Sequence, residues 1–470
     1  MTVQILKSAV AGLIIVSAAS SALPAQAVRV VDDPRAETIG MLFRIAGASD
    51  FRAGSVQPFI HQVDSAFTPF ASHSVFAEIA KLRAADRNLA LSAVIGIAPQ
   101  LSDPLALRER VPFDSPASLL GAEWHGAAAR SFLTQARDFA RVARLADFLR
   151  LEQPTFDSAG ARLERLTNEK ARWSWFTTFY GEPVGQMIVS PLLISDAGNF
   201  GAEFVSGATH ERYAFISFQS SDKAGFPVPP SDAIEQIVHE LSHSFINHVV
   251  IADSMRLRTS GQTIFPVVQQ SMNQIGYGNW LTMCYESLVR AAVIRYLLAS
   301  DGREAALRET RAQQGFGFVW MDQLVDLLGD YELDRSRYPT FSSFIPRVAT
   351  FYDSVAPRVA GLRSDYERHR PRVVSASIEN HATGVDPNLR EIVIRFDHPV
   401  HGFRSMAGEY GGEVPSITGG GFDSTGTVLT VGVRLAPNHS YWLPFGPGSF
   451  ADKDGYPLQT WELRFRTRSE

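Results

Sequence analysis

The sequence predicts an α+β protein, a largely helical body followed by an antiparallel β-sandwich over residues 371–470. Two observations predict this. Up to about residue 370 the apolar residues recur mostly at helical spacing, and beyond it the period drops to two. The length of 470 residues also exceeds what one core usually serves, which calls for two or three domains. With 45% hydrophobic and 20% charged residues the chain can bury sizeable cores. Its net charge of -5 leaves no excess basicity to hold a polyphosphate, so nucleic acid is not an expected partner.

Residues 1–27 carry Lys7, then the apolar run Ala9 to Leu23, then Ala25-Gln26-Ala27. This is the pattern of a secretory signal peptide with cleavage near Ala27, and the apolar run is shorter than the ~20 residues of a spanning helix. No later stretch reads as transmembrane, and no cysteine stands near the cleavage point to carry a lipid. A periplasmic or secreted protein without a transmembrane anchor is therefore expected. The single cysteine, Cys284, permits no intramolecular disulfide and reads as a small buried residue on an apolar helix.

Along the body, helical periods run over Ser115 to Leu151, and later over Phe341 to Val359. Val184 to Ile194 and Tyr213 to Phe218 are β-prone. The second of these precedes the central helix by a dozen residues and is the candidate edge strand, against which an extended peptide could pair by main-chain hydrogen bonds. Gly198-Asn199-Phe200-Gly201 lies between them and reads either as a cleft lining or as a turn. Asp232 followed by Glu235 opens a helix to about Val250 in a capping-box-like manner. On it Ile234, Ile237, Val238, Leu241 and Phe245 form an apolar stripe, and His239 and His243 fall on nearly the opposite face.

Spacing of four stacks the two imidazoles one turn apart, so that both can reach one metal ion. Glu240 sits a third of a turn round, where it can take a proton from a metal-activated water as general base without being a ligand. A catalytic Zn2+ needs a third protein ligand and an open position. Ile246 and Val249 stand where a compact third-histidine pattern would be, and His248 projects from the other side of the helix. The candidate third ligand is Glu286, inside the nearly all-apolar stretch Trp280 to Leu298, where an unpaired carboxylate would be costly. Arg290, four residues on, offers a plain ion pair instead, and the two roles can coexist if it holds the outer oxygen. Tyr277, in Gly276-Tyr277-Gly278, is a candidate oxyanion donor or simply a loop aromatic. His73, His125 and His210 have no ligand-like spacing.

After residue 370, Val373 to Ile378, Ile392 to Phe396 and Val428 to Val433 are short β-rich runs, and Trp461, Leu463 and Phe465 alternate with charged residues. Gly, Pro, Asn and Asp separate the runs, as in a sandwich.

His239-Glu240-Leu241-Ser242-His243 with Glu286 downstream resembles the gluzincin class of zinc metallopeptidases. More narrowly, His239 to Asn247, with Phe67-Thr68-Pro69-Phe70-Ala71-Ser72-His73 upstream and Glu286-Ser287-Leu288-Val289-Arg290-Ala291 downstream, is similar to a family of exported bacterial proteins that share this motif, over roughly residues 39–365. The resemblance implies a zincin-like fold in residues 28–365, with a helical N-terminal part, an edge strand over the cleft and the motif helix beneath it. The narrower family brings no activity with it, which leaves the substrate class open, and main-chain pairing with the edge strand is what favours a peptide or protein substrate. One departure stands out: many gluzincins place an acidic residue four positions after the glutamate ligand, and here that position is Arg290. Pro371-Arg372-Val373-Val374, Ile392-Val393-Ile394-Arg395-Phe396 with Pro399-Val400, and Asp454-Gly455-Tyr456-Pro457-Leu458 resemble bacterial immunoglobulin-like domains, which implies an Ig-like unit at 371–470 able to bind cell wall or protein, or to act as a spacer.

The expectation is an exported zinc peptidase with Zn2+ on His239, His243 and Glu286. Two alternatives stay open at this level: a cell-wall (peptidoglycan) amidase, and a non-catalytic surface or binding protein with an inert zinc site.

Overall fold

The computed structural model describes residues 28–52, 54, 56–86, 89–402, 413–446 and 448–469. The expected signal peptide, residues 1–27, lies outside the described residues. The fold is α+β, with 52% of residues helical and 18% in strands. No described helix is long and apolar enough to cross a membrane.

The described chain begins on a strand, β1 (Val28–Val30), and then runs through seven helices: α1 (Pro34–Ile45), α2 (Gln57–Phe67), α3 (Ser74–Ala85), α4 (Leu91–Gly96), α5 (Gly126–Val142), α6 (Leu145–Lys170) and α7 (Ser174–Tyr180). The helical stretch expected over 115–151 starts only at Gly126, after a 3-10 turn and a left-handed His125 (φ 48°), and is broken once more. It breaks at Arg144, whose φ of 53° is left-handed and separates α5 from α6. Strands β2 (Gln186–Leu192), β3 (Phe200–Ser206) and β4 (Thr209–Ser217) follow, then the short pair β5 (Ser220–Ser221) and β6 (Pro227–Val228).

The main sheet has the order β1-β2-β4-β3. β1, β2 and β4 run parallel, and β3 is antiparallel to β4 at the edge. The two β-prone runs of the sequence become β2 and β4, both interior, so the expected edge strand at 213–218 is corrected to residues 200–206. The reason is burial on both faces: Met187 to Leu192 and Arg212 to Ser217 are buried throughout, which suits central strands. β3 is mixed in exposure and polarity, as edges usually are. A two-residue turn, with Gly207 at φ 57°, joins β3 to β4.

Behind the sheet come α8 (Ala233–Ala252), α9 (Ser254–Gln274), α10 (Trp280–Ser300), α11 (Arg303–Gly315), α12 (Met321–Leu333), α13 (Phe341–Val355) and α14 (Val359–His369). α8 starts where Asp232 predicts, but the cap bond is not made. The Asp232 carboxylate accepts instead from Gln236 Nε2 at 2.9 Å, so the capping-box expectation with Glu235 is corrected. α8 lies against β3 and β4 on one side and α10 on the other. α10 is capped by Asn279, whose side chain accepts from Thr282 N at 2.9 Å, and is packed among α8, α9, α11 and α12. Cys284 sits buried on it with its thiol pushed up to about 12 by burial.

The change of period near residue 370 coincides with the end of α14. Beyond it are β7 (Val373–Ala376), β8 (Ala382–Val385), β9 (Glu391–Phe396), β10 (Ser416–Phe422), β11 (Val428–Arg434), β12 (Ser440–Phe445) and β13 (Trp461–Thr467). They form one sheet β10-β11-β9-β7 and another β12-β13-β8, whose buried faces share an apolar core separate from that of the helical body. The pairing is not wholly antiparallel as expected, because β13 runs parallel to β8. The two parts meet at Tyr456, which is covered by Arg311 (4.2 Å to the ring centre) and stacked on His369 (5.2 Å).

One buried acid on α1 makes a prediction. Glu37 is 2% exposed, and its Oε1 accepts from Leu193 N at 2.6 Å beyond the end of β2. Burial, aided by Asp32 and Asp33, pushes its carboxyl up to about 8 against the N–H groups of Leu193 and Ile194. The folded chain therefore holds this proton more tightly than the unfolded chain. The resulting stabilisation is present in full below the ordinary glutamate value of about 4.5 and is lost as pH rises towards about 8. Thermal unfolding of the wild type should fall across that window, and Glu37→Gln should flatten the fall. A variant with the same pH profile as the wild type would exclude Glu37 as its source.

Candidate metal centre

α8 and α10 bring three expected residues together. His239 Nε2 and His243 Nε2 are 3.2 Å apart, with ring centres at 4.9 Å and planes at 80°. From α10, Glu286 places Oε2 3.6 Å from His239 Nε2 and Oε1 3.6 Å from His243 Nε2. All three ligand atoms lie within 4.8 Å of one another, and among the described residues this is the one group of its kind.

The donor set fits a small divalent cation. A tetrahedral ion with bonds of about 2.0–2.2 Å sets its ligand atoms about 3.3–3.6 Å apart, close to the separations here. His243 Nδ1 is 3.0 Å from Asn247 Oδ1. An amide oxygen only accepts, so this contact puts the ring proton on Nδ1 and turns the Nε2 lone pair towards the cluster. Burial, reinforced by the Arg290 charge, holds the His239 imidazole well below its usual range, so that ring is neutral, the form in which an imidazole can coordinate a metal.

Glu240 is 7% exposed and lies beneath β3. Burial, with the nearby Glu286 charge, pushes its carboxyl up to about 7. The Arg290 charge and the nearby Gly201 backbone N–H act in the opposite direction. Gly201 is where the edge strand crosses the motif helix. A Cβ built there would lie 2.5 Å from the Glu240 carbonyl oxygen and 3.6 Å from His243 Cβ, so only glycine permits this approach.

Tyr277 stands behind the glutamate. Its hydroxyl donates to Glu286 Oε2 at 2.8 Å and accepts from Arg290 Nη2 at 2.6 Å. Burial and the Glu286 charge raise the phenol well above its ordinary range, so it stays protonated. Its one proton is directed at Glu286, and donation to an oxyanion would require that bond to break. Arg290 Nε is 3.8 Å from Glu286 Oε2, while its closer partners are Tyr277 and Gln313 Oε1 at 2.7 Å. The i,i+4 pair and the ligand-like placement of Glu286 thus coexist.

A family model described as "Domain of unknown function (DUF4932)" matches residues 41–351, more than half of the chain. The chain belongs to the DUF4932 family. His239, Glu240, His243, Tyr277, Glu286 and Arg290 all fall inside the DUF4932 segment, and the two C-terminal sheets fall beyond it. No curated protein matches the chain. Among solved structures it is similar to domains 1–6 of the surface layer protein SbsC, at 13% identity and a TM-score of 0.17, covering 51% of this chain and 34% of that one. It is also similar to the N-terminal part of the bacterial S-layer protein SbsC, at 12% identity and a TM-score of 0.16, covering 51% and 59%.

Three supporting residues of this DUF4932 site have contacts that no sequence pattern assigns. Asn247 had a signal, one turn beyond His243 on the same face. Gln313 had none, since only packing brings α11 to Arg290. Asn199 ties the start of β3 to α8: its Oδ1 accepts from Ser217 N at 2.8 Å and its Nδ2 donates to Gln236 Oε1 at 3.1 Å. The stretch 198–201 is thus the entry and first residues of β3, lining the site, and not a turn. The other histidines lie elsewhere. His73 caps α3 through Val75 N at 3.2 Å, His210 faces Glu203 at 3.4 Å, His125 faces Asp86 at 3.7 Å, and His248 is exposed on α8.

Proposed function

We propose that this protein is an exported zinc-dependent peptidase of zincin-like fold, resembling the gluzincins, with an Ig-like unit at its C-terminus. The observation that carries the reading is the convergence of His239, His243 and Glu286 on one point beside the buried Glu240. A zinc ion held by these three residues would supply an activated water and polarise the scissile carbonyl. Glu240 takes the proton of the attacking water and returns it to the leaving amine nitrogen. The close approach of Gly201 to the motif helix keeps Glu240 beneath the edge strand. Arg290 and Tyr277 fix the orientation of Glu286, with Arg290 in the place of the acidic residue common in gluzincins. The outward backbone of β3 offers an extended peptide a partner for main-chain pairing, which favours peptide over other amides. Export follows from the leader pattern of residues 1–27, and the C-terminal sheets serve as a spacer or as a unit that binds cell wall or protein.

Zinc stoichiometry of protein purified without chelator, followed by proteomic cleavage-site profiling beside a peptidoglycan digest, tests this reading. One zinc per chain with cleaved peptide bonds supports it. Release of wall fragments alone would make the protein an amidase, and absence of zinc uptake would remove the site. Tyr277→Phe should weaken zinc retention by about 10–100-fold against a chromophoric chelator, the usual effect of losing a group that orients a ligand. Unchanged retention would show that the phenol does not support Glu286.

A further inference from the structure

We infer that the site acts on chain ends, releasing one or two residues from the free N-terminus of a peptide; the inference rests on the peptidase reading above. The argument starts from the backbone of β3. The pair Ser206 and Thr209 closes a two-residue turn, so it is hydrogen-bonded, and alternation then turns the N–H and C=O of Val205, Glu203 and Gly201 away from β4. These outward groups are what an added strand would pair with. Gly201 lies directly on the motif helix, where a Cβ would be 2.5 Å from the Glu240 carbonyl oxygen and 3.6 Å from His243 Cβ, and this sets the hydrolytic residues at the level of Gly201.

The next outward position is closed. Glu203 O accepts from Gln100 Nε2 at 2.7 Å, and Gln100 is only 3% exposed. Gln100 ends a 3-10 turn (Ala98–Gln100) that, with α4, lies against β3. The turn is fastened to both strands through Arg110. Its Nη1 donates to Pro99 O at 3.0 Å, both its terminal nitrogens pair with Glu211 of β4 at 2.7 and 2.9 Å, and its guanidinium lies 3.4 Å from the ring centre of Phe204 on β3. A third tie runs from Arg35 Nη1 to Leu101 O at 2.7 Å. This is a fixed wall across the edge of the sheet.

Gly201 and Glu203 are two residues apart, or about 7 Å of strand. An extended chain on this edge can therefore pair at Gly201 and must stop before Glu203. Antiparallel addition, the more stable pairing per residue, points its N-terminal end at the wall. Between the wall and a scissile bond beside Glu240 there is room for about two residues, by the same rise per residue.

The test uses the zinc-loaded full chain with a synthetic peptide bearing a free N-terminus, the same peptide fused behind a folded domain, and an unfolded protein, with products read by mass spectrometry. Stepwise loss of one or two residues from the free N-terminus is expected. Cleavage near the fusion junction should be slower by about 10²-fold, because the extended chain cannot seat its scissile bond. Cleavage within the unfolded protein far from its ends, or trimming from the C-terminus, would overturn the inference while leaving the peptidase reading intact. A chain that holds zinc yet hydrolyses none of the three removes the peptidase reading and this inference with it.

Discussion

Glu240→Gln should leave zinc bound and lower turnover by about 10²–10⁴-fold, the usual weight of a general acid–base group. The substitution keeps the shape of the side chain, so the strand and helix stay in register. It touches none of the three converging ligands. What it removes is the ability to accept a proton. The check is metal content and peptide hydrolysis on the same sample. Wild-type turnover in the variant would end the proposed mechanism, whereas loss of metal would show that Glu240 is part of the ligand cage.

Gly201→Ala should be the most damaging single-atom addition near the site. The new Cβ would meet the Glu240 carbonyl oxygen at 2.5 Å, and that oxygen belongs to a helix backbone that cannot rotate aside. The edge strand must lift from α8, at a cost of about 1–3 kcal/mol for overpacking. Lifting the strand also shifts the cover over Glu240, and a displacement of about 1 Å in such an arrangement costs about 10²-fold in rate. Denaturant unfolding and hydrolysis rates measure the two effects. The control is Gly361→Ala on α14, where a Cβ meets nothing within 4 Å. That change should raise stability by roughly 0.5–1 kcal/mol through helix propensity and leave turnover alone. Equal effects of the two substitutions would mean that the strand and helix do not touch at Gly201.

The helix of His239, Glu240 and His243 was legible because its information is local. Three side chains on one helix have relative positions set by 3.6 residues per turn, whatever surrounds them. Glu286 was legible for a different reason, since a carboxylate inside an apolar helix is conspicuous by its solvation cost. β3 was not legible. Phe200, Ala202 and Phe204 alternate with Gly201 and Glu203, but Gly198, Asn199 and Gly201 give the stretch an equally good turn reading, and pairing with β4 and the turn at Gly207 make it a strand. In the C-terminal part β-rich or alternating runs mark β7, β9, β11 and β13, whereas β8, the glycine-rich β10 and β12 carry no such mark, and the parallel pairing of β8 with β13 has no signature in either segment alone.

The sequence by itself determined the two-part organisation, the change of period near residue 370, the motif helix and the identity of the third convergent carboxylate, all properties of a segment's own spacing or polarity. Only the tertiary structure decided which strand forms the edge, that Tyr277 and Arg290 stand behind Glu286, that Gly201 lies on Glu240, and that Gln100 closes the edge from 103 positions away. Contacts of that kind depend on how separate elements pack around a shared core, and the free energy that selects one packing is spread over many side chains, so no short stretch of chain carries it.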